Sequence, residues 1–423
     1  MTTRRLSIDH VARIEGHGNV HVKVEDGTVT TVEMNVTEAA RFFESLMRGR
    51  SYREVSYIAS RICGICSASH TVTSLQAVED ALGIEVSERT RLLRLLLVYG
   101  SFLQNHATHL FVLAAPDFIG THDVFPLAQS DPELLELALG IKQLGNELCT
   151  IVGGRSIHPI HAVVGGFTSE PSKCDLLLLA ERLDGVVDGA AKSAELFNSF
   201  TVPDLETQGD FLSLYKPDDY AVIDGDVRAT RSAWVRPGSA YRSFIDEVPV
   251  RHSNAKFSTI DEGTTYMTGA LARINNSWDH LTRPARMVAA KVGLRPVTLN
   301  TYRNNVCQAI ELVDVAVRCA ELCRALANGD GSSQVVPFAL REGAGTGVTE
   351  APRGVLFHYL ELDADGIVTA ADICTPTAQS LANLESDIRL LAPQIANRPA
   401  PEFKLLIEEL VRAYDPCLSC AVH

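Results

Sequence analysis

Two C-x-x-C pairs stand near opposite ends of this 423-residue chain: Cys63 and Cys66 in "RICGICSASH", and Cys417 and Cys420 in "DPCLSCAVH". A histidine follows each pair, His70 and the final residue His423. If the pairs share one ion, the fold must bring together segments more than 350 residues apart. Structural Cys₄ zinc sites usually join pairs about 15–20 residues apart, so a zinc site here would have to staple the chain ends. Gathering four thiolates in this way must overcome two long closures and mutual repulsion. Soft thiolates select zinc, copper(I), nickel or iron rather than magnesium or calcium. A redox-active or hydride-handling metal core is the sharper reading, and structural zinc its bland competitor.

Other readings of the pairs fail on detail. A c-type haem needs C-x-x-C-H, and Ser67 and Ala421 occupy the histidine positions. The last four residues imitate a prenylation box, but histidine is not a usual last letter and no polybasic run precedes it. A thioredoxin-like motif needs one pair beside a βαβ pattern, which is absent. The other six cysteines (Cys149, Cys174, Cys307, Cys319, Cys323 and Cys374) lie in apolar or helical contexts and read as small packing residues.

A formal net charge of −14 argues against a nucleic-acid groove. The opening "MTTRRLSIDHVARIEG" lacks the apolar core of a secretory signal. The most apolar stretch, "LLRLLLVYGSFLQNHATHLFVLAAPDF", is broken by Arg94, Gln104, Asn105 and His106, whereas a membrane span needs about 18–20 apolar residues in a row. It reads as a buried core helix in a cytoplasmic protein.

Periodicity divides the chain without a clean domain boundary. Residues 1–36 alternate about Asp26-Gly27 as a β-hairpin. Residues 37–200 read as a helical core, with helix starts at Ser87 and at Ser130-Asp131-Pro132 and a loop at "APDFIGTHDVFP". Residues 201–265 read as an irregular insertion with short strands, and 266–423 as C-terminal helices and the metal-binding end. A second hairpin is expected around Asp365-Gly366, then helices over about 378–395 and 401–414.

The two cysteine motifs, together with "RIEGH" (13–17), "RFFE" (41–44), "HPIHAVVGG" (158–166), "EAPRG" (350–354) and "CTPT" (374–377), resemble the large, catalytic subunit of nickel–iron hydrogenases over essentially the whole chain. The "LAAPDF" segment, the "YDPCLSCAVH" ending and the compact length are most similar to the cytoplasmic, cofactor-coupled group. The "QNH" at 104–106 departs from the "H-D-H" of many uptake-type relatives. A related respiratory subunit lacks the four cysteines, so their presence here disfavours a quinone site.

The resemblance implies one predominantly helical α+β domain over 1–423. A central long-helix bundle carries peripheral β-hairpins, and the N- and C-terminal motifs meet at a buried metal site. It implies reversible heterolytic cleavage of H₂ at a nickel–iron centre whose iron carries CO and CN ligands. Cys63 and Cys417 would be terminal nickel ligands, with Cys66 and Cys420 bridging. Arg353 and Thr377 would lie against the diatomic ligands. Cys417 would take the proton, with Arg353 as rival base. Glu15 would carry it away, its alternative being a salt bridge to Arg13 or a strand-edge charge.

Magnesium would be held by Glu44, the carbonyl near Ile373, and His423, exposed as the chain end once a precursor tail is removed. Glu44 otherwise reads as a solvated helix carboxylate. His70 either orients a bridging thiolate or satisfies the core; His158 is structural. No third cysteine cluster offers an electron wire. The expected partners are therefore an iron–sulfur small subunit of the hydrogenase, with further electron-transfer subunits, and neither nucleic acid nor a membrane span. An H₂ sensor with little turnover, and the zinc protein, are the alternatives.

Overall fold

The computed structural model describes residues 3–25, 28–121 and 123–423. Strands β1 (Thr3–Ile8), β2 (Gly18–Glu25) and β3 (Thr28–Val36) form an antiparallel meander in chain order. On β2 the burial alternates along the strand, which seats Val20, Val22 and Val24 on the core. The expected hairpin is present, though its Asp26-Gly27 turn lies outside the described residues. Residues 11–17, read from sequence as part of that alternation, instead leave the sheet. Arg13 and Gly16 adopt positive φ there, 58° and 85°, because the segment crosses to the far end of the chain.

Short helices α1 (Phe43–Met47) and α2 (Tyr52–Ala59) lead to α3 (Ser67–Leu82), which is buried along nearly its whole length. Ser51 and Glu54 close a capping box on α2. The bundle follows: α4 (Glu88–Ala107), α5 (Pro132–Gly153) and α6 (Lys173–Ser199), then, after a short helix α7 (Ala270–Ser277), α8 (Asn304–Asn328). Helix α8 packs against α6 and α4, and α4 against α5. The expected caps hold: the Ser87 hydroxyl accepts from the Thr90 N–H, and Asp131 from that of Leu134 behind Pro132 at the first turn. In the "APDFIGTHDVFP" segment the first four residues are helical and the other described ones are turns, bends and irregular chain, as expected of a loop. Helix α4 runs on through a π-helical turn, Thr108–Ala114, into a helical turn at Ala115–Phe118. Burial pushes the Cys149 thiol up to about 12, so it packs as a neutral apolar group.

Between α6 and α7 lie short strands, among them Asp210–Tyr215, Asp226–Ala229 and Lys256–Ile260. The last third builds a second antiparallel sheet, β4 (Gly343–Ala351), β5 (Gly354–Leu362) and β6 (Val368–Cys374). The hairpin expected at Gly366 is its β5–β6 edge. Helices α9 (Pro376–Ile395) and α10 (Ala400–Ala413) then lead to a single turn, α11 (Leu418–Ala421).

Alternate glycines of β4 let α3 lie directly on the strand. A Cβ added at Gly343, Gly345 or Gly347 would sit 2.2, 2.2 and 1.9 Å from backbone atoms of α3. Beyond the glycines the Thr73 and Thr349 hydroxyls meet at 2.5 Å. The start of α3, next to Cys66, and the end of β4, next to Arg353, therefore arrive at one place. Gly347→Ala is expected to destabilise the protein by about 1–3 kcal/mol or more, because backbone rather than a flexible side chain must yield. A urea denaturation series checks this, and an unchanged midpoint would refute the close approach.

Candidate metal centre

Both C-x-x-C pairs sit where a turn feeds a helix: Cys66 immediately precedes α3 and Cys417 immediately precedes α11. The four sulfurs lie within 4.8 Å of one another and all four side chains are buried. Cys63 Sγ is 3.3 Å from Cys417 Sγ, Cys66 Sγ 3.1 Å from Cys420 Sγ, and Cys417 Sγ 3.0 Å from Cys420 Sγ. None is in a disulfide. Among the described residues, no other group of three or more His, Cys, Asp or Glu residues converges in this way.

The electrostatics of this cluster call for a cation. Hydrogen bonds from the Cys417, Cys420 and Cys66 thiols hold Cys63 well below the usual thiol range. Burial pushes Cys66, Cys417 and Cys420 up. With Arg353 as the adjacent guanidinium, four buried thiolates cannot all ionise unaided. A soft divalent ion reverses that balance, because a coordinated thiol is deprotonated outright. The donor set thus fits nickel.

Arg353 stands at the tip of the β4–β5 turn and is 7% exposed. Its Nε donates to the Asp415 carbonyl at 2.8 Å, its Nη2 lies 2.9 Å from Asp415 Oδ1, and its Nη1 donates to Asn105 Oδ1 at 3.1 Å. Burial works against its charge, but Asp415 and the thiols outweigh it and raise its pKa. Asn105, from "QNH", thus does by hydrogen bonding what a carboxylate there would do by charge. A cleft of about 290 Å³ reaches Arg353 past Asn105, Gln104, Thr108 and Lys142. The Thr377 hydroxyl accepts from the Cys417 N–H at 2.9 Å, so its oxygen also braces the cysteine backbone.

Glu15 also reaches the sulfurs. The Leu418 N–H donates to its carbonyl at 2.9 Å, and Gly16 packs so tightly that an added Cβ would meet Leu418 Cβ at 2.9 Å. The Ser419 N–H and Cys417 Sγ each lie 3.1 Å from Glu15 Oε2, and the Ser419 hydroxyl donates to Oε1 at 2.5 Å. Arg13 does not pair with Glu15; it bonds Asp117 and the Leu113 carbonyl.

His423 is buried. Its Nδ1–H donates to the Cys420 carbonyl at 2.9 Å and its Nε2 is 3.5 Å from Glu44 Oε1. Burial opposes its charge, yet Glu44 raises its pKa, and His423 in turn lowers that of Glu44. The Ile373 N–H donates to Glu44 Oε1 at 3.0 Å. In an antiparallel strand N–H and C=O of one residue point the same way, so the Ile373 carbonyl faces this group as well. His70 lies 3.7 Å from Cys420 Sγ through Nε2 and 3.1 Å from His358 through Nδ1, and burial holds its imidazole down at about 3. His158 bonds the Ser60 carbonyl.

Sequence reasoning missed several supports. Asp415 was visible only as the first letter of "DPC", and Ser419 as a spacer between cysteines. Arg41, the first residue of "RFFE", donates to both the Ile62 and Ser419 carbonyls and so ties the two cysteine motifs together.

The nickel-dependent hydrogenase family profile matches residues 41–135 and 263–423, and a HoxL-like profile matches 5–39. The alpha chain of sulfhydrogenase 1 from Pyrococcus furiosus is 36% identical over 99% of this chain and 97% of its own. The beta chain of the NAD-reducing hydrogenase HoxS from Cupriavidus necator is 29% identical, over 100% and 95%. The crystal structure of an NAD⁺-reducing [NiFe]-hydrogenase in the H₂-reduced state superposes with a TM-score of 0.89 at 28% identity, covering 99% of each chain. The chain belongs to the nickel-dependent hydrogenase family, as the large subunit of a nickel–iron oxidoreductase. Its predominantly helical α+β fold is the one expected from the motifs. No helix among the described residues is long and apolar enough to cross a membrane.

If the four sulfurs share one ion, Cys63→Ser and Cys417→Ser should each lose bound nickel while the far-ultraviolet circular dichroism is kept. Elemental analysis of the purified protein measures this. Full nickel in both variants would exclude shared ligation.

Proposed function

We propose that this protein cleaves H₂ reversibly and heterolytically at a nickel–iron centre held by Cys63, Cys66, Cys417 and Cys420. The observation that carries the proposal is the convergence of four buried sulfurs with a carboxylate and a guanidinium beside them. When bound, the centre, with CO and CN on iron, supplies the two-electron chemistry of the H–H bond. The chain's own residues handle the proton. Cys417 Sγ accepts it and Glu15 Oε2, 3.1 Å away, removes it, since a hop needs a titratable group within hydrogen-bond reach. The Ser419 N–H and hydroxyl hold that carboxylate toward the sulfur. Arg353, held by Asp415 and Asn105, offers fixed donors to anionic groups on iron that would otherwise be buried unpaired; its raised pKa keeps it a donor rather than the rival base. Thr377 steadies Cys417 beneath them.

Magnesium belongs to the same reading, with Glu44, His423 and the Ile373 carbonyl as protein donors. A hard cation prefers such oxygens and several waters; the imidazole is the unusual member. Electrons leave to an iron–sulfur partner subunit. Exposed apolar side chains support a docking face for it. Tyr57 and Val335 are 43% and 46% exposed beside a groove of about 410 Å³, and Ile157 is 42% exposed next to His158.

Infrared spectroscopy of the purified complex should display metal-bound CO and CN bands, together with H₂-dependent dye reduction. One zinc per chain without those bands would overturn the proposal, and bands without turnover would favour an H₂ sensor. Glu15→Gln keeps size and hydrogen bonding but cannot release a proton. It should retain the bands while H₂ turnover and H/D exchange fall by about a hundredfold or more. Exchange at the parent rate would remove Glu15 from the proton route.

A further inference from the structure

Arg273, on α7, has its side chain 1% exposed, and all five N–H groups of its guanidinium have acceptors. Nε donates to Glu311 Oε1 at 2.6 Å and Nη2 to Glu311 Oε2 at 2.7 Å. Nη1 donates to Glu350 Oε2 at 2.8 Å and to the Ala351 carbonyl at 3.1 Å, and Nη2 to the Pro352 carbonyl at 2.9 Å. Ala351 pairs with Gly354, so Pro352 and Arg353 are the whole of the β4–β5 turn. The third carbonyl in the row, that of Arg353, accepts from the Thr268 hydroxyl at 3.2 Å. Three consecutive carbonyls, the last of β4 and the two of the turn, are thus held from residues 268–273. Gly354, at φ 135°, closes the contact: a Cβ there would lie 2.1 Å from Thr268 Oγ1.

We infer that Arg273 is a positioning residue for Arg353: it fixes the two-residue turn that delivers the Arg353 guanidinium to the four cysteine sulfurs.

The anchor behind it is rigid. Glu311, on α8, also accepts from the Tyr220 hydroxyl at 2.5 Å and lies 2.8 Å from His106 Nε2 on α4. Glu350 accepts from the Leu214 N–H at 2.7 Å. Burial opposes the Glu311 charge, but the doubly bonded Arg273 holds its pKa down at about 2. The Ala351 and Pro352 carbonyls are therefore tied to the helix bundle through one guanidinium. Lysine keeps the charge but has three donors, too few for both carboxylates and both carbonyls.

The inference rests on the proposed role of Arg353, and a double-mutant cycle in the purified complex separates the two. Arg353→Lys alone should lower H₂-driven dye reduction. Arg273→Lys should lower it about ten- to a hundredfold with nickel content unchanged, because a displacement of about 1 Å suffices for such a loss. In the Arg353→Lys background the same change should matter less than about twofold. Hydrogen exchange in the nickel-free chain gives a readout independent of turnover: the peptide over 348–358 should exchange faster in Arg273→Lys while α8 keeps its protection. Equal losses in both backgrounds, or faster exchange throughout α8, would overturn the assignment. An unchanged Arg353→Lys would instead overturn the reading of Arg353 itself. If Arg273→Lys does not assemble, Thr268→Val loosens the third carbonyl and is carried through the same cycle with the same two outcomes.

Discussion

Four sulfurs from positions 63–66 and 417–420 share a space 4.8 Å across, and most of the unusual features of this fold serve to put them there. Closing a loop of this length costs chain entropy, and apolar packing alone would not fix two short motifs to within a few tenths of an ångström. Directed bonds do so. Arg41 spans the Ile62 and Ser419 carbonyls, and the Glu15 backbone pairs with Leu418 as an added strand residue. The N-terminal segment leaves its sheet over 11–17 for this purpose, and the positive φ of Arg13 is the conformational cost.

Around the sulfurs the protein buries several guanidinium groups, each against carboxylate. Arg353 meets Asp415; Arg412 and Arg13 share Asp117; Arg273 divides its bonds between Glu311 and Glu350. Such pairs add little net stability over well-packed apolar residues, yet removing one partner costs about 3–5 kcal/mol. Their value here is geometric. Arg412 on α10 also bonds the Ala12 carbonyl, so it grips the segment that carries Glu15. Arg273 does the equivalent for Arg353. Glu15 and Arg353 are thus each held by a buried arginine that touches no sulfur.

The parts of this arrangement that were legible in the sequence are those with local signatures. The capped starts of α4 and α5 and the hairpin at Gly366 follow from neighbouring residues. Cys63, Cys66, Cys417 and Cys420 were readable from spacing, and Glu15, Glu44, Arg353, Thr377 and His423 only through resemblance to a family. Asp415 and Ser419 were passed over because their partners lie far along the chain, and Asn105 was read only as a departure from the family pattern. The "GAGTG" of β4 went unread for a related reason: nothing local says that a helix backbone will lie on it. The π-helical turn after α4 likewise has no pattern distinct from an α-helix.

The glycine contact between α3 and β4 has a mechanical meaning. Most helix–sheet interfaces are separated by a layer of side chains that can change rotamer and absorb stress. Here backbone rests on backbone, with Ala77, Ala81 and Thr73 opposite Gly345 and Gly347, and no rotamer lies between them. A close-packed contact without voids is the least compressible kind of protein interior. Hydrostatic pressure would therefore be taken up elsewhere in the molecule before it changed the spacing between the start of α3 and the turn that ends β4. Cys66 and Arg353 are carried together at one end of a stiff strut.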